Sequence, residues 1–362
     1  MKTIKFITPT GRMGASSRYR VYQYLEYLKK IYNVEVYPFL TDQLYDKFKK
    51  GDNKFVFSIP RLLLKRIILL KKIKKDDIIF IHRDAIPFGP MIFEKILKLK
   101  GCKIILDLDD AVYCTDTSEI SNKKNKLMYK FKYGKRFNRS IKLANVVVCG
   151  NKFIEEYVKK INSNTVIIPT TIDTNKVIYK KNIKEKDELK IVWVGNPGNT
   201  DYVLKILPQI DSKVKNVDKK IKFILIGNRI FDFSKFKNIE IMSYNWSEDT
   251  EYNIIRECNV GIMPLNDSEW SKGKCGLKIL QYMSVGVPAI ASNVGVNADI
   301  IIENKNGFLV DNNIDSWVDI IMDILSNEKA LENMEEYCRK FVEKKYSINT
   351  WIDKLIKVIE EV

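Results

Sequence analysis

Short apolar runs recur along the chain at intervals that suit buried strands separated by helices. Ile4 to Thr8, Val34 to Pro38, Asp77 to Ile81, Lys103 to Leu108, Val146 to Cys149 and Thr165 to Pro169 are rich in β-branched residues and predict strands. From Val177 to Lys190 the apolar content falls away and lysine and glutamate dominate, as in a linker between two cores. The strand pattern then restarts at Lys190 to Val194, Ile221 to Ile226, Ile239 to Met242, Val260 to Met263, and again from Val287. Between these runs the apolar period changes to that of helices. One is expected from Arg18 to Lys30. Another runs from near Cys275 to Val285, with Leu277, Leu280 and Met283 on one face and Gly286-Val287-Pro288 ending it. Further helices cover Ile314 to Leu325 and Glu328 to Lys344, and the end NTWIDKLIKVIEEV carries an apolar stripe of Trp351, Leu355, Val358 and Ile359. Strands alternating with helices predict an α/β fold with parallel sheets. At 362 residues the chain is too long for one ordinary core, so two doubly wound, Rossmann-like domains are expected. Their bounds are 1–176 and 190–347, joined by the linker 177–189.

Composition narrows the class. No apolar run approaches the roughly 20 residues that cross a bilayer, and MKTIKFITPTGR lacks the apolar core of a signal peptide. Six cysteines are scattered without a C-x-x-C pair, which suits a reducing cytoplasm and supplies neither a metal nor a disulfide framework. The net charge of +17 is concentrated in two runs of the first half. The first, Lys47 to Lys75, interleaves lysines and arginines with Leu62, Leu63, Leu64, Ile67, Ile68, Leu69 and Leu70; the second spans Lys123 to Lys142 without an acid. Helices of this composition are solvated faces, or surfaces for an anionic bilayer, which would place the protein peripherally on the inner face of a membrane. Nucleic acid is the least favoured partner, because the surrounding pattern matches none of its common binding modules.

Candidate chemistry lies where strands end, since ligands of parallel α/β sheets bind beyond the carboxyl ends. The first strand runs into PTGRMGASS, a glycine loop containing Gly14 and Ser16, and Ser16 or Ser17 can cap the following helix. Arg18 and Arg20 fall in the first helical turn, where cations oppose the helix dipole unless an anion lies near. The third strand ends in His82-Arg83-Asp84, with the chain's one histidine, and the fourth in Asp109-Asp110. His82 is either structural or catalytic, and no partners at ligand spacing make it a metal site. Asp109 and Asp110 either position an acceptor hydroxyl or cap the next helix. In the second half, Gly195 and Asn196 open a glycine and asparagine loop, and Trp246 either packs or stacks on a nucleobase.

The stretch from Val260 to Ala291 is the richest. Lys272 and Lys274 precede a helix that Cys275, Gly276, Leu277 and Lys278 begin, so free amides, a dipole and full positive charge converge as in an anion site. A diphosphate suits it. GKCGLKILQYMSVGVPAIAS resembles the donor-site segment of family 4 glycosyltransferases, closest to a branch reading Lys-Gly-Lys-Cys-Gly at this place. DLDDAVY, IPTTIDTNKV, ASSRYRVYQYL and SNVGVNADIIIENKNGFLVD resemble other segments of the same family, so the likeness covers nearly the whole chain. It departs at four places. Gly273 and Gln281 stand where the family usually has two glutamates, Asn196 where many members carry an arginine, and no lysine lies at the usual spacing beyond it. Gln281 can still bond ribose hydroxyls.

The resemblance implies a GT-B fold, two such domains facing across a cleft, with the helix at 348–362 packing back on the first. It further implies a glycosyltransferase moving a sugar from a nucleotide-diphosphate donor to a glycan or lipid-linked acceptor, with retention of configuration and neither metal nor cofactor. The donor falls to Gly14, Ser16, Arg18, Gly195, Asn196, Trp246, Lys272, Lys274, Cys275, Gly276, Leu277, Lys278 and Gln281. The reacting sugar falls to Asp109, Asp110, Arg20 and His82. A nucleotide-sugar 2-epimerase of related fold and a non-catalytic nucleotide-sugar-binding subunit are the alternatives.

Overall fold

In the computed structural model the described residues are 1–114, 134–179, 187–195, 200–227, 233–311, 313–327 and 329–362, without the side chains of 53–55. They form two compact units. The first comprises Met1–Thr171, Lys272–Cys275 and Trp351–Val362; the second comprises Ile172–Ser271 and Gly276–Thr350.

The first unit is built on six parallel strands, β1 (Thr3–Thr10), β2 (Asn33–Leu40), β3 (Ile78–His82), β4 (Lys103–Leu108), β5 (Val146–Cys149) and β6 (Thr165–Ile167), in the order β2-β1-β3-β4-β5-β6. Helices flank the sheet, so its central strands are apolar throughout rather than alternating. Ile4, Phe6 and Ile7 of β1, Ile78 to Ile81 of β3 and Ile104 to Leu106 of β4 are all buried. The strand order turns back between β1 and β3, and a crevice at their carboxyl ends is the expected ligand position of such a sheet. Buried polar residues gather at that end: Arg20 4 %, His82 0 % and Asp107 0 % exposed. The helix Ile348–Glu361 contributes its residues from Trp351 onward to this unit, where Glu360 accepts from Tyr32 and pairs with Lys2.

The second unit holds β7 (Glu188–Val194), β8 (Lys220–Ile226), β9 (Glu240–Tyr244), β10 (Val260–Met263), β11 (Ala289–Ser292) and β12 (Gly307–Val310), also parallel, in the order β12-β11-β10-β7-β8-β9. This is the doubly wound Rossmann order, with the turning point between β7 and β10. Tyr282 is among the largest fully buried side chains. Its hydroxyl donates to Ile262 O (3.2 Å) and accepts from Val194 N (3.1 Å), fixing the helix Leu277–Ser284 against both strands of the turning point. Gly261 is required opposite it, because a Cβ there would lie 2.2 Å from the Tyr282 ring.

Several expected boundaries move, each for a local reason. The helix expected at Arg18 to Lys30 is three pieces, Ala15–Arg20, a 3-10 turn Tyr22–Tyr24 and Leu25–Leu28. Val21 at φ −129° breaks it, and Gln23 Nε2 donates to Tyr19 O, the carbonyl its own backbone amide would otherwise take. Neither Ser16 nor Ser17 caps that helix, since Gly14 holds the N-cap position and the serines lie inside the first turn. The helix expected near Cys275 starts at Leu277 because Gly276 is left-handed (φ 67°). β7 begins at Glu188, inside the expected linker, where Glu188 pairs with Lys222 at 2.6 Å. Linker residues 180–186 and the basic residues Lys123, Lys126, Lys130 and Lys132 lie outside the described set.

Candidate functional site

Sheet order places the loop after β1 and the end of β3 together, and the residues there form one bonded cluster. Asp107, in the last turn of side chains along β4, accepts from His82 Nδ1 (2.7 Å) and is gripped by Arg20 through Nε (3.1 Å) and Nη2. Arg20 also donates to Ile168 O (2.8 Å), so it is a buried anchor of the cluster. Burial alone would raise the Asp107 carboxyl; Arg20 and His82 hold it below the usual range instead. On its other side His82 Nε2 lies 2.6 Å from Ser16 Oγ, which donates to Asp109 Oδ2 at 2.5 Å. The histidine ring is thus fixed at both nitrogens, between a buried carboxylate and a half-buried hydroxyl.

Arg83 carries the next link. It has φ 62°, a left-handed conformation that costs a bulky residue roughly 1–2 kcal/mol, so its neighbours must hold it there. Its amide donates to Asp107 O (2.8 Å), Nε to Asp109 Oδ1 (2.6 Å) and Nη2 to Asp110. The two adjacent carboxyls are pushed apart. Against the upward push of burial, Arg83, His82 and the Ser16 hydroxyl hold Asp109 well below the carboxylate range. Asp110 moves up, through burial and the Asp109 charge, although Arg83 and Lys274 pull the other way. The cluster therefore presents an ionised acceptor, Asp109, beside a second carboxyl that takes a proton more readily. Arg18 Nη1 donates to Arg12 O (3.2 Å), and its guanidinium lies 5.0 Å from the Tyr19 ring.

The loop Lys272–Cys275 is packed into the same unit, against the ends of β4 and β5. Cys275 Sγ donates to Asp109 O (3.1 Å), and burial, reinforced by Asp109, raises its thiol well above the usual range. Asn151 does two jobs. Its Oδ1 accepts from Ile154 N (2.9 Å) as N-cap of the helix Lys152–Lys159, while Nδ2 donates to Gly273 O (3.2 Å) and Lys274 O (3.0 Å). A Cβ on Gly273 would lie 2.7 Å from Ala111 N and 2.4 Å from its Cβ. A side chain at 273 would therefore meet Ala111 unless the loop moved.

In the second unit the helix Leu277–Ser284 opens at Gly276, which holds the N-cap position and supplies no side-chain cap. Lys278, in that turn, lies 5.8 Å from the Trp193 ring, and Gly195 sits against the same ring, its amide donating to Ile226 O (2.9 Å). Gln281 is buried on the same helix, and Trp246 is half-buried two residues beyond β9. Asn196 lies outside the described residues. Among those described, no group of three or more His, Cys, Asp or Glu is gathered as metal ligands.

Asp107, Arg83 and Asn151 were not singled out from the sequence. Asp107 carried a readable signal, an acid inside the apolar run KIILDL, which a buried strand tolerates only with a partner. Arg83 and Asn151 are ordinary by residue type and stand out only through their bonds.

Comparison with known proteins bears on both units. Residues 174–341 match the model of the family described as glycosyl transferases group 1. A 41.2 kDa protein in the cps region of Klebsiella pneumoniae is 28% identical over 187 residues, covering 49% of this chain and 48% of that protein. The UDP-Gal:alpha-D-GlcNAc-diphosphoundecaprenol alpha-1,3-galactosyltransferase of Escherichia coli is 28% identical over 116 residues, 32% of this chain and 28% of the relative. The chain thus spans about half, or less, of the length of these curated relatives. The crystal structure of Anabaena HepE in complex with UDP and glucose is similar at a TM-score of 0.70 and 11% identity, over 100% of both chains. At that identity the likeness shows the fold. The match to the glycosyl transferases group 1 model thus lies almost wholly within the second half of the chain, and the two parallel sheets have the GT-B fold of solved glycosyltransferases.

Proposed function

We propose that the chain is a glycosyltransferase that passes a sugar from a nucleotide-diphosphate donor to a glycan or lipid-linked acceptor, belonging to the branch with a Lys-Gly-Lys-Cys-Gly loop. The observation that carries this reading is the uncapped start of Leu277–Ser284, with Lys278 in its first turn and Lys274 just before it, within the stretch that matches the group 1 family. When the bond to the sugar breaks, negative charge grows on the nucleoside diphosphate. The amides and dipole of a helix start and two ammonium groups stabilise that charge in place of a metal ion. Asp109, ionised and held by Arg83 and Ser16, accepts a hydrogen bond from a sugar hydroxyl, and His82 supports it through Ser16. Retention of configuration, with the donor phosphate taking the acceptor proton, is part of this reading through the family resemblance. The UDP bound to HepE and the lipid diphosphate in the name of the Escherichia coli relative favour a uridine nucleotide and a lipid-linked acceptor.

The test is a panel of nucleotide sugars in a thermal-shift assay with wild type, Lys274→Ala and Lys278→Ala. The matching donor at 100 times its Kd stabilises wild type by about 2.7 kcal/mol and both variants by markedly less. A donor that shifts all three proteins equally overturns the assignment of the lysines. Absence of any shift at millimolar donor overturns the donor reading.

A further inference from the structure

The helix Ile59–Lys72 has two faces that read differently from an ordinary surface helix. Its inward stripe is Leu62, Arg66 and Leu69, all buried and followed by buried Ile73. Arg66 is the centre of that stripe. Its guanidinium donates to Ala85 O (2.9 Å), Tyr37 O (2.9 Å) and Thr8 O (3.2 Å), pinning the helix to the carboxyl ends of β1 and β2 and to the chain just past β3. Burial pulls Arg66 down to about 10, against the pull of Asp84 and Glu94. It is therefore a tie within the fold and not part of a surface charge, contrary to its place in the basic run. Arg136, from the second run, is likewise committed, donating to Asp84 (2.7 Å) and Gly89 O (3.0 Å).

The outward face should be polar if solvent were its only neighbour. Instead Leu64 is 55 % exposed, Ile67 55 % and Ile68 44 %, spaced three and four apart so that they share one stripe, which Lys71 continues. Phe57, in the turn just before the helix, is 85 % exposed and Val56 48 %. Arg61, Lys65 and Lys72, all exposed, lie one step around the helix, and no residue from Ile59 to Lys72 is acidic. Apolar side chains flanked by cations, with no acid between them, match one kind of partner. A phosphate backbone gains nothing from Leu64, Ile67, Ile68 and Phe57. A second copy would bring like charges together. An anionic bilayer takes both components, the side chains into the acyl boundary and the cations onto the headgroups.

We propose that the outward face of Ile59–Lys72, with Phe57 and Val56, is a docking surface for an anionic lipid bilayer. Among the described residues no helix is long and apolar enough to cross a membrane, and this face lies on it instead. The Arg66 tie fixes the docking helix to the same strand ends that carry Ser16 and His82, so that end of the sheet is held beside the lipid surface.

The experiment is sedimentation of the full chain with phosphatidylcholine vesicles and with vesicles containing 30 mole per cent phosphatidylglycerol (about one lipid in three), at physiological salt. Wild type partitions onto the anionic vesicles and not onto the neutral ones. Lys65→Gln/Lys71→Gln/Lys72→Gln weakens partitioning about 100-fold, at about a factor of five per basic residue. Leu64→Ser/Ile67→Ser/Ile68→Ser weakens it at least as much while the protein keeps a cooperative thermal melt, since none of the three side chains is buried. Binding that survives both variants overturns the proposal. So does loss in the lysine variant alone, which would make the face a general polyanion site. No sugar donor enters this assay, so its outcome is independent of the transferase reading.

Discussion

The Arg20 and Asp107 pair gives the sharpest test of how the site is held. Both side chains are sealed from solvent, and Arg20 relies on Asp107 for its charge partner while retaining Ile168 O (2.8 Å) as a further acceptor. Asp107→Asn keeps the shape and removes the charge, leaving a buried guanidinium and a His82 Nδ1 that must share an amide oxygen. Stranding one member of a buried pair costs about 3–5 kcal/mol. Arg20→Gln strands Asp107 in the same way, at similar cost. Two independent losses would sum to about 6–10 kcal/mol, the size of a whole domain's stability. The double variant carries no buried excess charge, so it should be less destabilised than that sum by at least about 2 kcal/mol. Urea unfolding followed by far-ultraviolet circular dichroism measures the cycle. Hydrogen exchange in peptides spanning β1, β3 and β4 assigns the loss to the first unit. Additivity of the two single changes to within about 0.5 kcal/mol would refute the reasoning, because it would mean that Arg20 and Asp107 do not depend on each other.

Two further outcomes follow from the same unit. Gly273→Glu, which restores the residue common in the family, should destabilise the chain and abolish donor-dependent stabilisation, because its Cβ meets Ala111 backbone; even Gly273→Ala should lower the melting temperature, and a wild-type melt for Gly273→Ala would show that the loop yields. Asp109 has its carboxyl depressed in the folded state, so its contribution is present above the unfolded value near 4 and is lost as pH falls through the folded one; urea midpoints between about pH 5 and 2 should drop, and Asp109→Asn should flatten that slope by up to about 1.4 kcal/mol per pH unit. An unchanged slope in Asp109→Asn would remove Asp109 from the acid response.

How far the sequence could be read depended on whether a feature is local. Strands such as Lys103 to Leu108, Val146 to Cys149 and Val260 to Met263 have the bounds their apolar runs predict, because a buried parallel strand needs little beyond its own composition. The helix after Gly14 was misjudged because its break depends on the Gln23 side chain meeting Tyr19 O, a choice made by packing. Within the candidate site, residue types at strand ends pointed to His82 and Asp109, and those at a helix start to Lys278. Their bonding did not show, since Asp107 to Arg20 spans 87 positions and Asn151 to Gly273 spans 122. The basic runs were legible only as charge. Which cations face outward was decided by burial, which took Arg66 and Arg136 into the fold and left Lys65, Lys71 and Lys72 on its surface.

The discontinuous make-up of the first unit bears on how the chain assembles during synthesis. Its sheet is complete in sequence once Thr171 has been made, yet Cys275, which bonds Asp109, and Glu360, which bonds Tyr32 and Lys2, are translated much later. At about 5–20 residues per second the stretch up to Trp351 takes roughly 10–35 s more. The ends of β4 and β5 lack the Lys272–Cys275 loop for the first roughly 5–20 s of that interval, and the starts of β1 and β2 lack their helix for all of it, so the nascent first half waits on the ribosome with docking places open. The second unit, which runs through Thr350, is translated in the meantime, and closure of the first is a late event that joins Lys2 and Tyr32 to Glu360.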